Sequence, residues 1–251
     1  MRKLAVVALV GAALGLAGGF SGTADAQSNL ERMRGVKTTG TSFEAQLIDQ
    51  EGPRADRIRE NLERINLPPG FEISLYAIVP DARHMTTDPQ GQVVWVGTRK
   101  VDVYSVVDRD KDRIADEVEA FAPPIDFAVP NGVCMSPDGF LYVVEHNRVL
   151  VFPAAAFFWE NPDVAVDIVV PQGELIPVDE ESYNHGARVC RIGPDNKLYV
   201  SLGQPYTVPP AETADLYTET GIGGIIRMNR AGSGRAVSAY GVRNSVGMDF
   251  T

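Results

Sequence analysis

The chain has 251 residues, and its 33 acidic side chains against 23 Lys and Arg give a formal charge of −10 at pH 7. This balance argues against nucleic acid as a partner, because phosphate binding requires clustered Lys and Arg. The two cysteines, Cys134 and Cys190, lie in no C-x-x-C-H motif, so no covalently attached haem is predicted. Their pairing stays open, because the sequence does not show their separation in space.

The N-terminus has the pattern of a Sec-type signal peptide. Arg2 and Lys3 precede an uncharged apolar run over residues 4–20, and Ala24-Asp25-Ala26 forms an A-x-A cleavage site. We predict a signal peptide over residues 1–26 and a periplasmic or secreted bacterial protein. No long apolar segment follows, so no integral membrane segment is expected after cleavage.

Residues 27–66 are predicted to form a polar tether that contains one short amphipathic helix. Ile58, Leu62 and Ile65 fall at helical spacing among charged residues. The next segment, FEISLYAIV over residues 71–79, alternates apolar with polar or small side chains and predicts a half-buried strand.

A phrase made of a Pro-led turn and an apolar strand then recurs three times. The copies are DPQGQVVWVGTR (88–99), SPDGFLYVVEHNR (136–148) and GPDNKLYVSLG (193–203). Their prolines lie 48 and 57 residues apart, the spacing of four-stranded propeller blades with loop insertions. Residues 67–251 are therefore predicted to be all-β and to form a partial β-propeller; a complete small β-sandwich is the alternative.

Stacked blades bury both faces of each sheet, and a closed ring leaves only short edges. The chain ends at VGMDFT, one residue before the place of a fourth Pro-led turn. We therefore expect about three to four blades here, a C-terminally truncated propeller.

An acidic stretch over residues 108–119 has the carboxylate spacing of an EF-hand loop. The acidic positions are Asp108, Asp110, Asp112, Asp116 and Glu119. The sixth position, where glycine is usual, is Arg113. The stretch predicts either a weak calcium site or, alternatively, a solvated hairpin loop.

Three polar clusters lie just ahead of the predicted innermost strands, whose entries surround the central channel of a propeller. The clusters are Asn131 with Gly132; Asn184, His185 and Arg188; and Arg243 with Asn244. Turn chemistry alone could explain Asn131, a capping role could explain His185, and blade fastening could explain Arg243. The functional alternative gives His185 proton transfer, Asn184 and Arg188 substrate binding, and the Arg-Asn pair recognition of a carboxylated ligand.

These segments together resemble the glucose/sorbosone dehydrogenase family, soluble quinoprotein sugar dehydrogenases with six-bladed propellers, and most resemble its sorbosone branch. The segments that carry the resemblance are GFEISLYA (70–77), ARHMTTDPQGQVVWVGTR (82–99), VPNGVCMSPDGFLYVVEHNRVL (129–150), HGARVCRIGPDNKLYVSLG (185–203) and GVRNSVGMDF (241–250).

The resemblance implies pyrroloquinoline quinone (PQQ) as the cofactor, with calcium polarising it. It implies that His185 takes the proton from a sugar hydroxyl or aldehyde hydrate, while Arg243, Asn244 and Asn131 contact the cofactor. The family's acidic neighbour of the histidine is replaced by Asn184, and its cofactor-binding glutamine falls on Pro130. The carbonyls that hold calcium in the family follow the Arg-Asn strand, so low or no activity is expected from this chain.

The predicted function is an exported oxidoreductase that oxidises an aldose or a sugar aldehyde. Its electrons are expected to pass to a separate acceptor such as a cytochrome or quinone. Two alternatives stay open: a non-catalytic binding scaffold, and a metal-dependent sugar lactonase for which Glu145 and Asn131 are the visible starting ligands.

Overall fold

The computed structural model describes residues 36–38, 45–160 and 164–251. The predicted signal peptide and the first part of the tether lie outside the described residues. Within the described ranges, no helix is both long enough and apolar enough to cross a bilayer.

The described chain is mostly β and forms three antiparallel sheets, each a meander of four strands in chain order. A short strand, β1 (Lys37–Thr38), joins the outer edge of the second sheet. The first sheet contains β2 (Ala82–Thr87), β3 (Val93–Thr98), β4 (Val103–Val107) and β5 (Glu117–Phe121). The second contains β6 (Gly132–Met135), β7 (Leu141–Val144), β8 (Val149–Phe152) and β9 (Ala165–Val170). The third contains β10 (Cys190–Ile192), β11 (Lys197–Leu202), β12 (Gly224–Asn229) and β13 (Ala236–Ala239).

Among the described residues, three α-helices and two short 3-10 helices lie before or between the strands. The α-helices are α1 (Pro53–Leu62), α2 (Ala155–Phe158) and α3 (Ala214–Thr220), and the 3-10 turns are Val178–Glu180 and Ala211–Thr213. The predicted amphipathic helix is confirmed by α1, which begins at a proline, as helices often do because proline presets the backbone angle.

The strand predicted over residues 71–79 is wrong, because this segment pairs with no strand in the part of the chain that the structure describes. Its backbone groups instead form isolated hydrogen bonds with separate partners. The Ile78 amide donates to the side chain of Gln50 at 2.6 Å, and the Tyr76 carbonyl accepts from the Ala115 amide at 2.9 Å. Tyr76, Ala77 and Val79 pack against the apolar core of the first sheet without a ladder of hydrogen bonds.

The repeated phrase corresponds to one sheet each time. Every Pro-led turn connects the first strand of a sheet to the second, and the turns over residues 88–92, 136–140 and 193–197 are closed by backbone hydrogen bonds of 2.9–3.0 Å. In the first turn the Asp88 carboxylate also accepts from the amides of Gln92 and Val93. The repeat boundaries read from the sequence are thus confirmed.

The first strands of the three sheets are neighbours, with β6 between β2 and β10. The Val133 and Met135 amides of β6 donate to side chains of β2. On the other side, Cys134 of β6 forms a disulfide with Cys190 of β10, across a Cα–Cα distance of 5.7 Å. The open question of cysteine pairing is therefore answered: the bond joins two sheets.

The second sheet is covered on both faces, as its alternating side chains require. Leu141 and Val143 of β7 point into the apolar core shared with the first sheet, around Trp95 and Phe121. The intervening residues of β7 point into the core shared with the third sheet. Three sheets stacked in succession form a propeller-like arrangement, and not the two layers of the sandwich alternative.

Arg230, at the end of β12, fastens the second sheet to the third. Its guanidinium donates to the Tyr142 hydroxyl at 2.9 Å, to the Asp138 carboxylate at 2.8 Å and to the Asn196 side chain at 3.1 Å. Because Asp138 and Asn196 belong to two Pro-led turns, one cation holds two repeats in register.

Candidate active site

One cavity of ≈ 450 Å³ opens where segments of all three sheets meet. This volume is within the range of small-molecule sites. The residues that line it are Arg83, His84, Arg99, Asn131, Tyr183, Asn184, His185, Gly186, Ala187, Val189, Asn244 and Val246. The cavity thus brings together one or more residues from each of the three polar clusters predicted to meet.

His185 is held in one orientation by a backbone carbonyl. Its Nδ1 lies 2.7 Å from the carbonyl oxygen of Gln204, and its backbone adopts the left-handed conformation with φ 55°. Because a carbonyl oxygen only accepts, Nδ1 carries the hydrogen, and in the neutral ring Nε2 is then a proton acceptor. The geometry is that of a positioned general base whose partner, among the described residues, is a backbone carbonyl and not a carboxylate.

The segment before His185 is anchored to the end of β7. The Ser182 amide donates to Nε2 of His146 at 3.3 Å, while the amide group of Asn147 bonds both backbone groups of Ile176 and the carboxylate of Glu181. The second sheet therefore fixes the position of a loop that belongs to the third repeat. These contacts restrict the loop that carries His185.

Gly203 allows His185 and Asn244 to approach the same strand end. A Cβ at this position would lie 2.7 Å from both the Asn244 Oδ1 and the His185 Cβ, and would meet the His185 carbonyl oxygen as well. Only a residue without a side chain leaves both groups where they are.

His84 is a second cavity histidine, with the opposite hydrogen-bonding arrangement. Its Nδ1 accepts from the Val133 amide at 3.3 Å, so the neutral ring carries its hydrogen on Nε2 and is a donor. Burial lowers the pKa of His84, and the nearby Arg191 lowers this pKa further. When both rings are neutral, the cavity therefore combines one imidazole donor with one imidazole acceptor.

The cavity is also cationic. Arg83 and Arg99 contribute guanidinium side chains, and none of the described residues that line it is acidic. The lining of the cavity is therefore positively charged, although the net charge of the chain is −10. An anionic ligand suits such a lining.

The predicted asparagines all reach the cavity. Asn131 is buried, and its amide nitrogen donates to the Arg188 carbonyl at 2.5 Å, which leaves its amide oxygen for a ligand. Asn184 and Asn244 complete the polar lining. The three amides can donate to or accept from the oxygens of a sugar or a carboxylate.

The substrate-binding role predicted for Arg188 is corrected by the structure. Its side chain is fully buried away from the cavity and donates to the carbonyls of His146, His185 and Gly203 at 3.0–3.4 Å. Burial lowers its pKa to about 10, so the guanidinium stays charged at neutral pH. Arg188 is a structural residue that joins the loop of His185 to its neighbours, because its Nε and Nη1 groups donate to three backbone carbonyls.

Only one residue of the predicted Arg-Asn cofactor pair lines the cavity. Asn244 lines the cavity, whereas the exposed Arg243 side chain lies near the Thr207 hydroxyl at 3.4 Å and does not line it. The Arg243 backbone adopts the left-handed conformation with φ 63°, and its carbonyl accepts from the Gln204 amide at 3.0 Å. The direct contact expected between Arg243 and a cavity ligand is therefore not supported.

The acidic loop keeps part of its predicted ligand set. Asp108, Asp110 and Asp116 each place a carboxylate oxygen within 4.8 Å of the other two. The prediction that Asp112 belongs to this set is wrong. Its carboxylate lies outside the group and accepts from the Ile114 amide at 2.8 Å. Glu119 lies within β5, outside this group.

Glu145, one starting ligand of the lactonase alternative, is used elsewhere. Its carboxylate is completely buried, accepts from the Ala128 amide at 2.7 Å and forms an ion pair with Arg148. It does not line the cavity.

Arg83, His84 and Arg99 were missed by sequence reasoning. Arg83 and His84 lie in β2, the first strand of the first sheet. Because β2 has the same place in its sheet as β6 and β10 have in theirs, the sequence repeat already pointed to these two residues. Extending the inner-strand argument to that repeat would have identified His84.

No protein-family model matches the chain, and neither does any curated protein. Among solved structures, a carbohydrate-active enzyme of family AA12 from Trichoderma reesei is 17% identical, with 64% of this chain and 39% of that chain covered and a TM-score of 0.47. The PQQ domain of a pyranose dehydrogenase from Coprinopsis cinerea is 13% identical, with 59% of this chain and 33% of that chain covered and a TM-score of 0.45. A gluconolactonase from Xanthomonas campestris is 17% identical, with 53% of this chain and 39% of that chain covered and a TM-score of 0.38.

The chain thus spans about two fifths or less of the length of these three proteins. With TM-scores below 0.5, these similarities establish neither the fold nor the function of this chain. Its function has to be inferred from its own sheets and from the residues that line its cavity.

Proposed function

We propose that the protein is an exported oxidoreductase of the quinoprotein type that oxidises an aldose or a sugar aldehyde. The observation that carries this proposal is the imidazole of His185, fixed by the Gln204 carbonyl with Nε2 as acceptor, in a cationic cavity. The complete ring of blades, the substrate and a separate electron acceptor such as a cytochrome or quinone are parts of the same proposal.

The lining residues fit PQQ, which carries three carboxylates on a planar ring system. Arg83 and Arg99 supply the cationic groups for carboxylates, and Asn131 and Asn244 supply amides for the quinone oxygens. When bound, the quinone supplies a two-electron acceptor for hydride. Calcium fits less well, since the lining offers amide and carbonyl oxygens but no carboxylate, and we derive no step from it.

The chain's own residues account for proton transfer and orientation. His185 accepts the proton of a hydroxyl on the carbon that loses hydride, and its Nδ1 bond to Gln204 keeps the ring in place as it becomes charged. His84, as a donor on Nε2, can hold an oxygen of the substrate or the cofactor. Asn184 orients a sugar hydroxyl at the rim.

Binding of PQQ to the purified chain is the first test. Fluorescence quenching is expected to show saturable binding, and the double variant Arg83→Gln/Arg99→Gln is expected to bind at least about tenfold more weakly, because each charge-assisted bond contributes about 1.5–3 kcal/mol. Lys37→Gln, a charge change on β1, is the control. Absence of saturable binding, or an equal loss in the control, contradicts the proposal.

The second test is dye reduction by the protein with its complete ring of blades, in the presence of added PQQ, calcium and a panel of aldoses. His185→Asn can still donate to the Gln204 carbonyl but has no basic nitrogen, so we expect quinone binding to be retained and turnover to fall by about 10²–10⁴-fold. Turnover that survives this substitution removes His185 from the chemistry. Hydrolysis of a sugar lactone without quinone favours the lactonase alternative, and quinone binding without turnover at any aldose favours the binding scaffold.

A further inference from the structure

We propose that the loop between β4 and β5 binds a divalent cation of the calcium type through the carboxylates of Asp108, Asp110 and Asp116. This site is distinct from the cavity and does not depend on the proposed dehydrogenase function. The loop lies beside the start of β3, where the Asp108 amide donates to the Gln92 carbonyl, whereas the cavity residue Arg99 follows the end of β3.

Three carboxylate oxygens converge in this loop within 4.8 Å of one another. The neighbouring cations are turned away from them. Arg109 donates to Glu117 at 2.9 Å and to Glu160 at 3.2 Å, and the Lys111 ammonium lies near the Gln90 carbonyl at 3.5 Å. Three like charges so close repel one another unless a cation lies among them.

The buried side chain of Asp108 gives the second observation. Only 7% of this residue is exposed, and its Oδ1 has no hydrogen-bond partner among the described residues. Its Oδ2 accepts from the Arg113 amide at 3.2 Å. Burying an ionised carboxylate oxygen without a partner is costly, and a cation would satisfy it.

The backbone of the loop already has the turn that such a site requires. Arg113, the sixth residue from Asp108, adopts the left-handed conformation with φ 72°. Glycine usually occupies this position in calcium loops because it takes this conformation without strain. The Asp116 carboxylate is tied to the first turn by the Arg109 amide at 2.6 Å.

The remaining ligands would be backbone carbonyls and water, as hard cations accept. Three carboxylates with a strained sixth residue predict weak binding, with a dissociation constant on the order of 10⁻⁴–10⁻³ M, the range of extracellular calcium modules. Calcium concentrations outside a cell are high enough to populate such a site.

Tyr76 offers a local reporter. The Tyr76 carbonyl accepts from the Ala115 amide at 2.9 Å, so this residue lies beside the loop. Burial raises the pKa of its hydroxyl, and the charges of Asp108 and Asp116 raise this pKa further. Terbium bound in the loop of the purified chain is therefore expected to luminesce on tyrosine excitation, and added calcium is expected to displace it. Tyr76→Phe is expected to reduce the luminescence but to leave calcium binding by calorimetry unchanged.

Substitutions within this one loop distinguish a cation site from a merely acidic surface. Asp108→Asn is expected to weaken calcium binding at least about tenfold, and Asp110→Asn to weaken it as well. Asp112→Asn makes the same change of charge in the same loop and is expected to change the affinity less than about twofold, since Asp112 is outside the group. Arg113→Gly is expected to strengthen binding, because it relieves the strained turn.

Two results would overturn this proposal. One is failure of 10 mM calcium, about ten times the weakest expected dissociation constant, to displace terbium or to raise the melting temperature. The other is an equal loss of affinity in Asp108→Asn and Asp112→Asn, with both variants folded by circular dichroism. Loss of calcium binding with retained PQQ binding in Asp108→Asn supports the site and leaves the proposed dehydrogenase function unaffected.

Discussion

Glu119 carries a carboxyl group whose pKa is raised to about 7 by burial within β5 and by the neighbouring charge of Glu117. In the unfolded chain a glutamate loses its proton near pH 4.5. Between these two values the folded protein holds a proton that the unfolded chain has released. Stability therefore falls as pH rises from about 4.5 to about 7.

Replacement of Glu119 by glutamine removes this titration. We expect the melting temperature of the unmodified protein to decrease across this pH window more steeply than that of Glu119→Gln, with the variant the more stable of the two at pH 8. Thermal melts at several pH values measure both slopes, and Glu117→Gln, on the more exposed neighbour, shows how much of the slope comes from mutual repulsion. Parallel slopes in all three proteins would exclude a raised pKa.

Gly203→Ala tests how closely the cavity is assembled. The added methyl group would displace either His185 or Asn244, so PQQ binding is expected to weaken about tenfold and stability to fall by about 1–3 kcal/mol, the usual cost of overpacking. Gly247→Ala is the matched control, because nothing lies within 4 Å of its added Cβ. Equal binding by the two variants contradicts the geometry proposed for His185.

At the scale of single residues, the sequence predicts which polar groups lie near the cavity. It predicts less well which atoms each of these groups contacts. His185, Asn131 and Asn244 line it as expected, because a repeat fixes where a residue lies along a blade. Arg188 does not, because its residue type cannot show whether a guanidinium faces a ligand or backbone carbonyls. That choice depends on loops from another repeat.

Among the elements, the disulfide between β6 and β10 has a measurable effect. It closes a loop of 56 residues, and the chain-entropy relation gives a stabilisation of about 4 kcal/mol. Cys134→Ser/Cys190→Ser is expected to lower the free energy of unfolding by about this amount, measured by urea denaturation. Reduction of the unmodified protein should produce the same loss, and a reduced protein as stable as the oxidised one contradicts this expectation.

Local patterns predict helices better than strands in this chain. The spacing of apolar residues is sufficient for α1, because a helix satisfies its own backbone groups. Residues 71–79 have the alternation of a strand, but a strand also requires a partner, and the alternation does not reveal one. The repeated turns succeed because they specify a pair of strands together.

Over the whole molecule, the three sheets differ in how well they are covered. The second sheet lies between two apolar cores, whereas the outermost strand of the third, β13, has alternating exposed and half-buried residues. Hydrogen exchange measured by mass spectrometry is therefore expected to be slowest in β7 and β8 and markedly faster in β13. Uniform exchange across the sheets would contradict this layering.

The repeat predicts the stacking of sheets but not the close approach of their first strands in detail. Gly132 of β6 permits this approach, and Gly97 of β3 lets the segment before β6 pass beside it, since a Cβ on either would meet the backbone of a neighbouring repeat. The sequence shows these glycines without showing which chain segment passes beside them. Contacts of this kind depend on residues far apart in the chain.

The walls of the cavity extend in sequence from Arg83 to Val246. Contacts between such distant positions form late, since the intervening chain must be ordered first. A library of short fragments will therefore miss ligand recognition entirely, and a protease cut in any one of the three repeats should abolish it. Refolding yield is then best followed by recovery of bound ligand, which reports assembly of the whole structure, while circular dichroism already detects individual hairpins.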